Sequence, residues 1–302
     1  MSNTIITPSV IASRALATLF NTIVLAGLVS RVYDTEFNGK QGDTITVRKP
    51  ATFTVTEFDR NTGIVPQAIT EDSFTVVLDT LLDISVPVTA EELTLELTSF
   101  DEQVLVPICN AFAQDIDGRL AEALVDAAEG GGGGGTTSSG ASDATLPFRQ
   151  GREYLTRNKL PLSQRYAVLS PESVTDCLGD DLFTAVDKSG SPDGLREASL
   201  GRVFGLDSFE SQTFGRGAGD RGQADGVAFH REAVALTMVT LAAPMGLPPA
   251  QVSVKSFESL ALRVTRDYDH DYKQDVVSVD ALVGVKKVRV EGAVQLDFGN
   301  GS

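Results

Sequence analysis

Four aspartates, Asp267, Asp269, Asp271 and Asp275, gather around His270 near the end of the chain. Such hard oxygen donors suit calcium or magnesium. The spacing lacks the turn glycine and the terminal bidentate glutamate of a calcium loop. In a strand, Asp267, Asp269 and Asp271 share one face, opposite Tyr268, His270 and Tyr272. A solvated or intersubunit acidic face is therefore expected over 267–275, and no metal site. Nucleophilic catalysis needs a base beside a serine or cysteine, and His230 and His270 are the only histidines. No serine sits in a glycine-flanked nucleophile elbow. Gly215, Gly217, Gly219 and Gly222 lack the preceding strand and following helix that a phosphate-binding loop requires. No catalytic, cofactor-binding or metal-binding residue is assigned, and the chain is expected not to be an enzyme.

Charge is segregated instead. Between Arg60 and Arg119 there is no Lys or Arg, while Glu71, Asp72, Asp79, Asp83, Glu91, Glu92, Glu96, Asp101, Glu102, Asp115 and Asp117 all fall there. Arg149, Arg152, Arg157, Lys159 and Arg165 form one basic counterpart, and Arg14, Arg31, Arg48 and Lys49 another. Each set reads either as a solvated face or as half of a complementary contact between copies, where charge sets register and partner choice.

The net charge of -16 over 302 residues repels polyphosphate, so sequence-specific nucleic-acid binding is not expected. Hydrophobic content of 42% and charged content of 22% fit a folded, soluble chain of one large or two smaller cores. Cys109 and Cys177 have no metal-type spacing and read as reduced, structural thiols. The apolar run Ala15 to Val29 is broken by Thr18, Asn21 and Thr22 and has no basic segment before it. A cytoplasmic origin without membrane insertion is therefore expected.

Several elements are needed to position these charges. Thr7-Pro8 starts a helix whose Ile11, Ala15, Leu16, Leu19, Phe20, Ile23 and Val24 form one apolar stripe. That stripe docks either on its own core or, as an arm, on a neighbouring subunit. From Gly42 to Leu78 the period falls to two. Ile45 and Val47 alternate with threonines, as do Phe53 and Val55, which predicts a hairpin joined at Pro50 and followed by a strand run Ser73 to Val88. An isolated ribbon of this kind is marginal in water and must lie on something.

Two capping boxes, Thr89 to Glu92 and Ser99 to Glu102, start helices. The second opens a rod continuing through Val104, Leu105, Ile108, Phe112, Ile116, Leu120 and Leu124 to Ala128, on the order of 40 Å long at 1.5 Å per residue. Pro107 is a kink candidate, and Gly118 weakens the rod. Gly130 to Gly140 reads as a flexible joint. An α/β pattern follows: helix Leu146 to Arg157, strand Tyr166 to Leu169 and a helix from Ser170-Pro171. Gly194 to Asp225 is loop-rich. Val227 to Phe229 is a strand, and Ala233 to Leu241 is expected as a helix ending before Pro244. Strands return in Ser253 to Val264, Val276 to Val279 and Val285 to Leu296, the last rejoining the sheet beside the long helix.

This order resembles the Hong Kong 97-type capsid fold of tailed-bacteriophage major capsid proteins. The stretches Thr7-Pro8-Ser9-Val10-Ile11, Gly42-Asp43-Thr44-Ile45-Thr46-Val47, Ser99 to Leu124, and Ala228-Phe229-His230-Arg231-Glu232-Ala233-Val234-Ala235-Leu236 are similar to segments of such coat proteins. The resemblance implies an α+β chain divided into an N-terminal arm (1–35), an extended β loop lying across a neighbour (36–78), a peripheral domain with the spine helix (79–140), an α/β apical domain (141–250) and a β return to the peripheral domain (251–302). It further implies a homo-oligomer of hexamers and pentamers in an icosahedral shell around double-stranded DNA, with a separate scaffolding protein, a portal and room for a decoration protein. The glycine joint would let the apical domain tilt on the spine. The expected location is the virion capsid, assembled in the bacterial host cytoplasm. Some members cross-link a lysine to an asparagine; Lys40 and Lys49 lie in or near the loop, without an identified partner. The alternatives are an encapsulin-like nanocompartment shell and an acidic soluble enzyme or binding domain.

Overall fold

The structure is a computed structural model. It describes residues 8–33, 42–49, 55, 57, 60, 72–89, 106–130, 136–138, 144–184, 200–215, 222–244, 248, 251–257, 260–270, 272 and 274–298. The capping boxes beyond Thr89, the start of the rod at Ser99, Lys40 and Asp271 lie outside these residues.

Two sheets and a shared helix make the molecule. The first sheet is built on β14 (Gln274–Lys287), which pairs antiparallel with β3 (Thr80–Thr89) on one edge. Its other edge takes β13 (Leu260–Asp269) along the first half and β11 (Val234–Val239) along the second, and β12 (Val252–Phe257) completes the sheet beyond β13. The second sheet runs in the order β4 (Thr136–Ser138), β15 (Ala293–Asp297), β10 (Gly226–His230), β5 (Arg165–Leu169), β7 (Leu206–Glu210) and β6 (Arg202–Val203). Short strands Phe214–Gly215 (β8) and Gly222–Gln223 (β9) pair with each other.

Helix α1 (Pro8–Thr22) begins at the proline, as the sequence predicts. Its Ile11, Ala15, Leu16 and Leu19 are buried in one cluster with Ile108, Phe112 and Ile116 of helix α2 (Val106–Gly130) and with Leu260, Leu262 and Val264 of β13. These four stripe residues are therefore covered by their own chain, between α2 and the first sheet. The described part of α2 extends for about 37 Å at 1.5 Å per residue. Pro107 is the second residue of the described helix.

On the far face of the second sheet lie α3 (Leu146–Arg157), α4 (Pro171–Leu178) and the single turn α5 (Asp181–Thr184). Phe148, Leu155, Val174, Cys177 and Phe183 pack there on Leu169, Ala228, Val294 and Leu296. Gly151 lets α3 sit close to the sheet: a Cβ there would meet Leu296 Cδ2 at 2.9 Å. Ser170 caps α4, its hydroxyl accepting from Ser173 N–H at 3.2 Å.

Two expectations are corrected by this topology, and a third is refined. The segment Ala233 to Leu241 is not a helix: β11 is a strand buried on both faces, where a continuous apolar run carries no period to separate helix from strand. The final strand does return beside the long helix, Gln295 donating to Glu129 of α2 at 3.3 Å, but it does so as a member of the second sheet, where β15 pairs with β10 and β4. The residues after Gly130 are not all structureless, because Thr136–Ser138 adds in parallel to the otherwise open edge of β15. The two sheets are also not joined at a single point. The chain crosses between them at Arg231–Ala233 and at Val288–Gly292, and the crossings are tied together where Val288 N–H and Arg289 N–H both donate to Ala233 carbonyl, at 2.9 and 3.1 Å. One apolar cluster holds α2, Val279 of the first sheet and Val227 and Phe229 of the second.

Candidate assembly surfaces

The β1 strand (Thr44–Lys49) has the alternation read from the sequence, Thr44 and Thr46 exposed and Ile45 and Val47 half-buried. Among the described residues it pairs with β2 (Asp72–Val77), Thr44 opposite Val77 and Lys49 opposite Asp72; of the expected partner Phe53 to Thr56 across Pro50, all but Val55 lies outside the described residues. The period-2 signal is equally strong in both segments, so alternation alone could not choose the register. Residues 50–71 thus leave and return at one paired position, and Val55 within them is fully exposed at 102%.

Among the described residues the ribbon is held at its base. Gly42 N–H donates to Leu78 carbonyl at 2.6 Å, and Leu78 N–H to Asp43 carbonyl at 3.0 Å. Val76 and Leu78 are buried with Leu282 of β14, flanked by Tyr33, Ile45, Val47, Phe74, Val239 and Leu241. Tyr33 and Phe74 meet edge to face with ring centroids 6.0 Å apart. Beside this base a cleft is lined by Asp79, Arg119, Glu122, Asp126, Lys286 and Lys287, with Lys287 Nζ 3.1 Å from Asp126. Its charges are of both signs, and nothing among them resembles an acid-base pair set around a reacting atom.

A second surface is the face of the first sheet turned away from α1 and α2. Asp83 on β3 stands directly opposite Asp280 on β14, which in turn stands opposite Arg263 on β13. The Arg263 fork takes Asp280, Nη2 to Oδ2 at 2.8 Å and Nε to Oδ1 at 2.9 Å, and donates also to Ala242 carbonyl at 2.7 Å. Burial raises the Asp280 carboxyl, Arg263 opposes this, and Asp83 adds to it. Asp83 itself is exposed and accepts from the Ser85 hydroxyl at 3.1 Å.

The acidic group near His270 lies at the end of this sheet. Asp275 is paired with Arg266, Asp269 accepts from Tyr272 N–H at 3.3 Å, and the Tyr268 ring meets His270 edge-on. Among the described residues no three His, Cys, Asp or Glu side chains form a metal-holding group. Cys109 and Cys177 are free and buried; burial pushes the first thiol up to about 11 and the second to about 12. His230 is buried at 2%, and burial holds it below its ordinary value. Among the described residues no helix is long and apolar enough to cross a membrane.

The basic set divides. Arg149, Arg152, Arg157 and Lys159 are exposed on or just after α3, with Arg157 closed onto Glu153 at 2.6 Å. Arg165 is not part of a surface: it is 1% exposed and donates to Pro161 carbonyl at 2.7 Å, Leu160 carbonyl at 2.8 Å and Thr156 Oγ1 at 2.9 Å. A strand position in a buried sheet, invisible in a count of basic residues, overrides the usual preference of arginine for water.

One internal acid escaped notice among its exposed neighbours. Asp117 is 5% exposed, and its carboxylate accepts from Val24 N–H at 2.9 Å and Leu25 N–H at 3.0 Å, capping the 3-10 turn Leu25–Gly27 that ends the α1 segment. The signal was its line on α2 with Ala113 and Ala121, a buried small-residue row. Burial pushes its carboxyl up to about 6, opposed by these amides and by Arg31. A folded-state value above the unfolded one favours the protonated form, so this contribution is full below about pH 4 and is lost as pH rises through about 6. Asp117→Asn removes the titration. The urea-midpoint stability of wild type relative to the variant is expected to fall by up to about 3 kcal/mol from pH 4 to 7. A difference that stays flat over that range would rule the effect out.

No family model matches the sequence, and no curated protein does. Solved structures do match. A structure of Mycobacterium phage Che8 is 22% identical, covers 93% of this chain and 92% of its own, and has a TM-score of 0.66. The bacteriophage PhiM1 mature capsid is 16% identical over 87% of this chain and 84% of its own, with a TM-score of 0.63. A virus-like particle from Pyrococcus furiosus is 13% identical over 95% and 98%, at 0.53. Matched over nearly its whole length to these structures, this α+β protein has the Hong Kong 97-type capsid fold.

Proposed function

We propose that this chain is the major capsid protein of a tailed bacteriophage, assembling into an icosahedral shell around double-stranded DNA. The observation that carries the reading is the match along almost the full length of both chains to phage structures, which leaves little of this chain for another task. A ribbon whose described anchor is at its base supports it, since ribbons of this kind need a surface to lie on. In this reading residues 36–78 are the extended loop reaching a neighbour and α2 is the spine. The second sheet with α3 and α4 is the apical part, meeting its copies in hexamers and pentamers. The apical part takes β15 from the 251–302 segment and gives up β11, and a scaffolding protein, a portal and a decoration protein are the further partners. Assembly takes place in the host cytoplasm, and the finished location is the virion. Many weak contacts close such a shell by avidity.

The virus-like particle likeness keeps a nanocompartment shell as the second reading. Electron microscopy of the purified product, with and without the scaffolding protein, is expected to show uniform closed particles; a monomer at every concentration in both samples would overturn the proposal. The content of the particles separates the readings, nuclease-protected DNA for the phage shell and protein cargo for the nanocompartment.

A further inference from the structure

The basic ridge on α3 has a feature that solvated faces lack. Beneath it Arg165 is buried, and its donors end on two carbonyls and a hydroxyl, all neutral, so its charge stays uncompensated among the described residues. Burial and the nearby Arg152 both hold its pKa down, and Arg165 in turn lowers that of His230, its cross-strand partner. Above it Arg152 and Lys159 are exposed with no carboxylate partner among the described residues, beside Arg149. A focus of positive charge in a chain of net charge -16 calls for an anionic partner.

The matching surface is on the same chain but out of reach. Asp83 lies in the stretch without a single base, its cross-strand neighbour Asp280 is another acid, and the nearest arginine is already committed to Asp280. Its described partner is a hydroxyl, so it too is uncompensated. Among the described residues β3 has β14 on one side and no strand on the other, so Asp83 lies on the edge strand of the described sheet. Ridge and edge belong to different sheets, and no ion pair among the described residues joins them. Two unlike, complementary patches on one molecule give a head-to-tail contact, which closes a ring when the rotation allows.

We infer that the Arg152 and Lys159 ridge of one copy receives the Asp83 edge of the next copy. This rests on the shell reading and names one contact within it. A nucleic-acid backbone is the competing occupant of the ridge, disfavoured by the chain's overall charge.

Arg152→Glu with Lys159→Glu, and Asp83→Lys separately, are each expected to lower the yield of closed particles at least about tenfold, a loss of one contact's worth of free energy. The triple variant carrying all three is expected to recover particles. Unassembled subunits of each variant, and of the milder Arg152→Gln, should keep the wild-type melting temperature, because these side chains are exposed. Unchanged yield in the single-surface variants, or no recovery in the triple one, overturns the inference. So do normal particles that have lost their protected DNA, which would assign the ridge to phosphate. Wild type run alongside separates the two proposals: if it forms no particles under any condition, the shell reading itself has failed.

Discussion

Joining Lys49 to Asp72 by Asn-Gly, with residues 50–71 removed, is expected to give a folded protein that no longer builds particles. The register makes the design possible: Lys49 stands directly opposite Asp72, which is the geometry a two-residue type I′ turn closes. Every described contact at the ribbon's base is retained, because Val76, Leu78, Leu282 and the Gly42 and Asp43 backbone bonds all lie outside the excised stretch. Thermal unfolding should stay cooperative, with a midpoint within a few degrees of wild type, since shortening the loop about tenfold changes closure entropy by only about 2 kcal/mol. Particle yield should fall to zero by electron microscopy. A truncated chain that still forms shells would show that the loop tip carries no essential contact. Loss of cooperative unfolding would show instead that residues 50–71 belong to the core.

The parts of the fold that were legible in the sequence had local signals. Helix α3 was bounded at Leu146 and Arg157 by its own periodicity, α4 by the Ser170 cap and Pro171, and α1 by Pro8, each within one or two turns of chain. What failed were choices between distant partners. β1 had two candidate strands with the same alternation, and only packing of Phe74 and Val76 on Tyr33 and Leu282 selects Asp72–Val77. Val234–Val239 is apolar at every position except Thr237, so its place between two layers, which no local pattern records, made it a strand.

The charged surfaces were half legible for the same reason. Segregation along the chain separated an acidic stretch from a basic one, yet it treated Arg165 and Asp117 like their exposed neighbours. Both are inside, one as a clamp on the turn before β5 and the other as the cap of the turn after α1. Among the charges that remain outside, Asp83 on the first sheet and Arg152 and Lys159 on or just after α3 are the ones the inferred contact between copies uses.

Gly284→Ala should be the most damaging methyl group that can be added to this protein at a described glycine of ordinary backbone angle. A Cβ at Gly284 would lie 2.5 Å from Val77 carbonyl oxygen and 3.3 Å from its carbon, with Leu78 Cα at 3.4 Å. These are backbone atoms fixed by pairing on both sides, Val77 to Thr44 and Gly284 to Thr237, so relief requires lifting the ribbon base off the sheet. The expected cost is about 2–3 kcal/mol of overpacking strain in the urea midpoint, with loss of the Val76, Leu78 and Leu282 contacts as the ribbon tilts. Gly151→Ala presses chiefly on the Leu296 side chain, which can turn aside, and should cost less; Gly27→Ala meets nothing within 4 Å and should lie within about 0.5 kcal/mol of wild type. If Gly284→Ala matched the Gly27 variant in stability, the ribbon base would have to be loosely seated. Its close seating is what sets the direction in which the ribbon leaves the body, so particle yield should fall further than subunit stability alone accounts for.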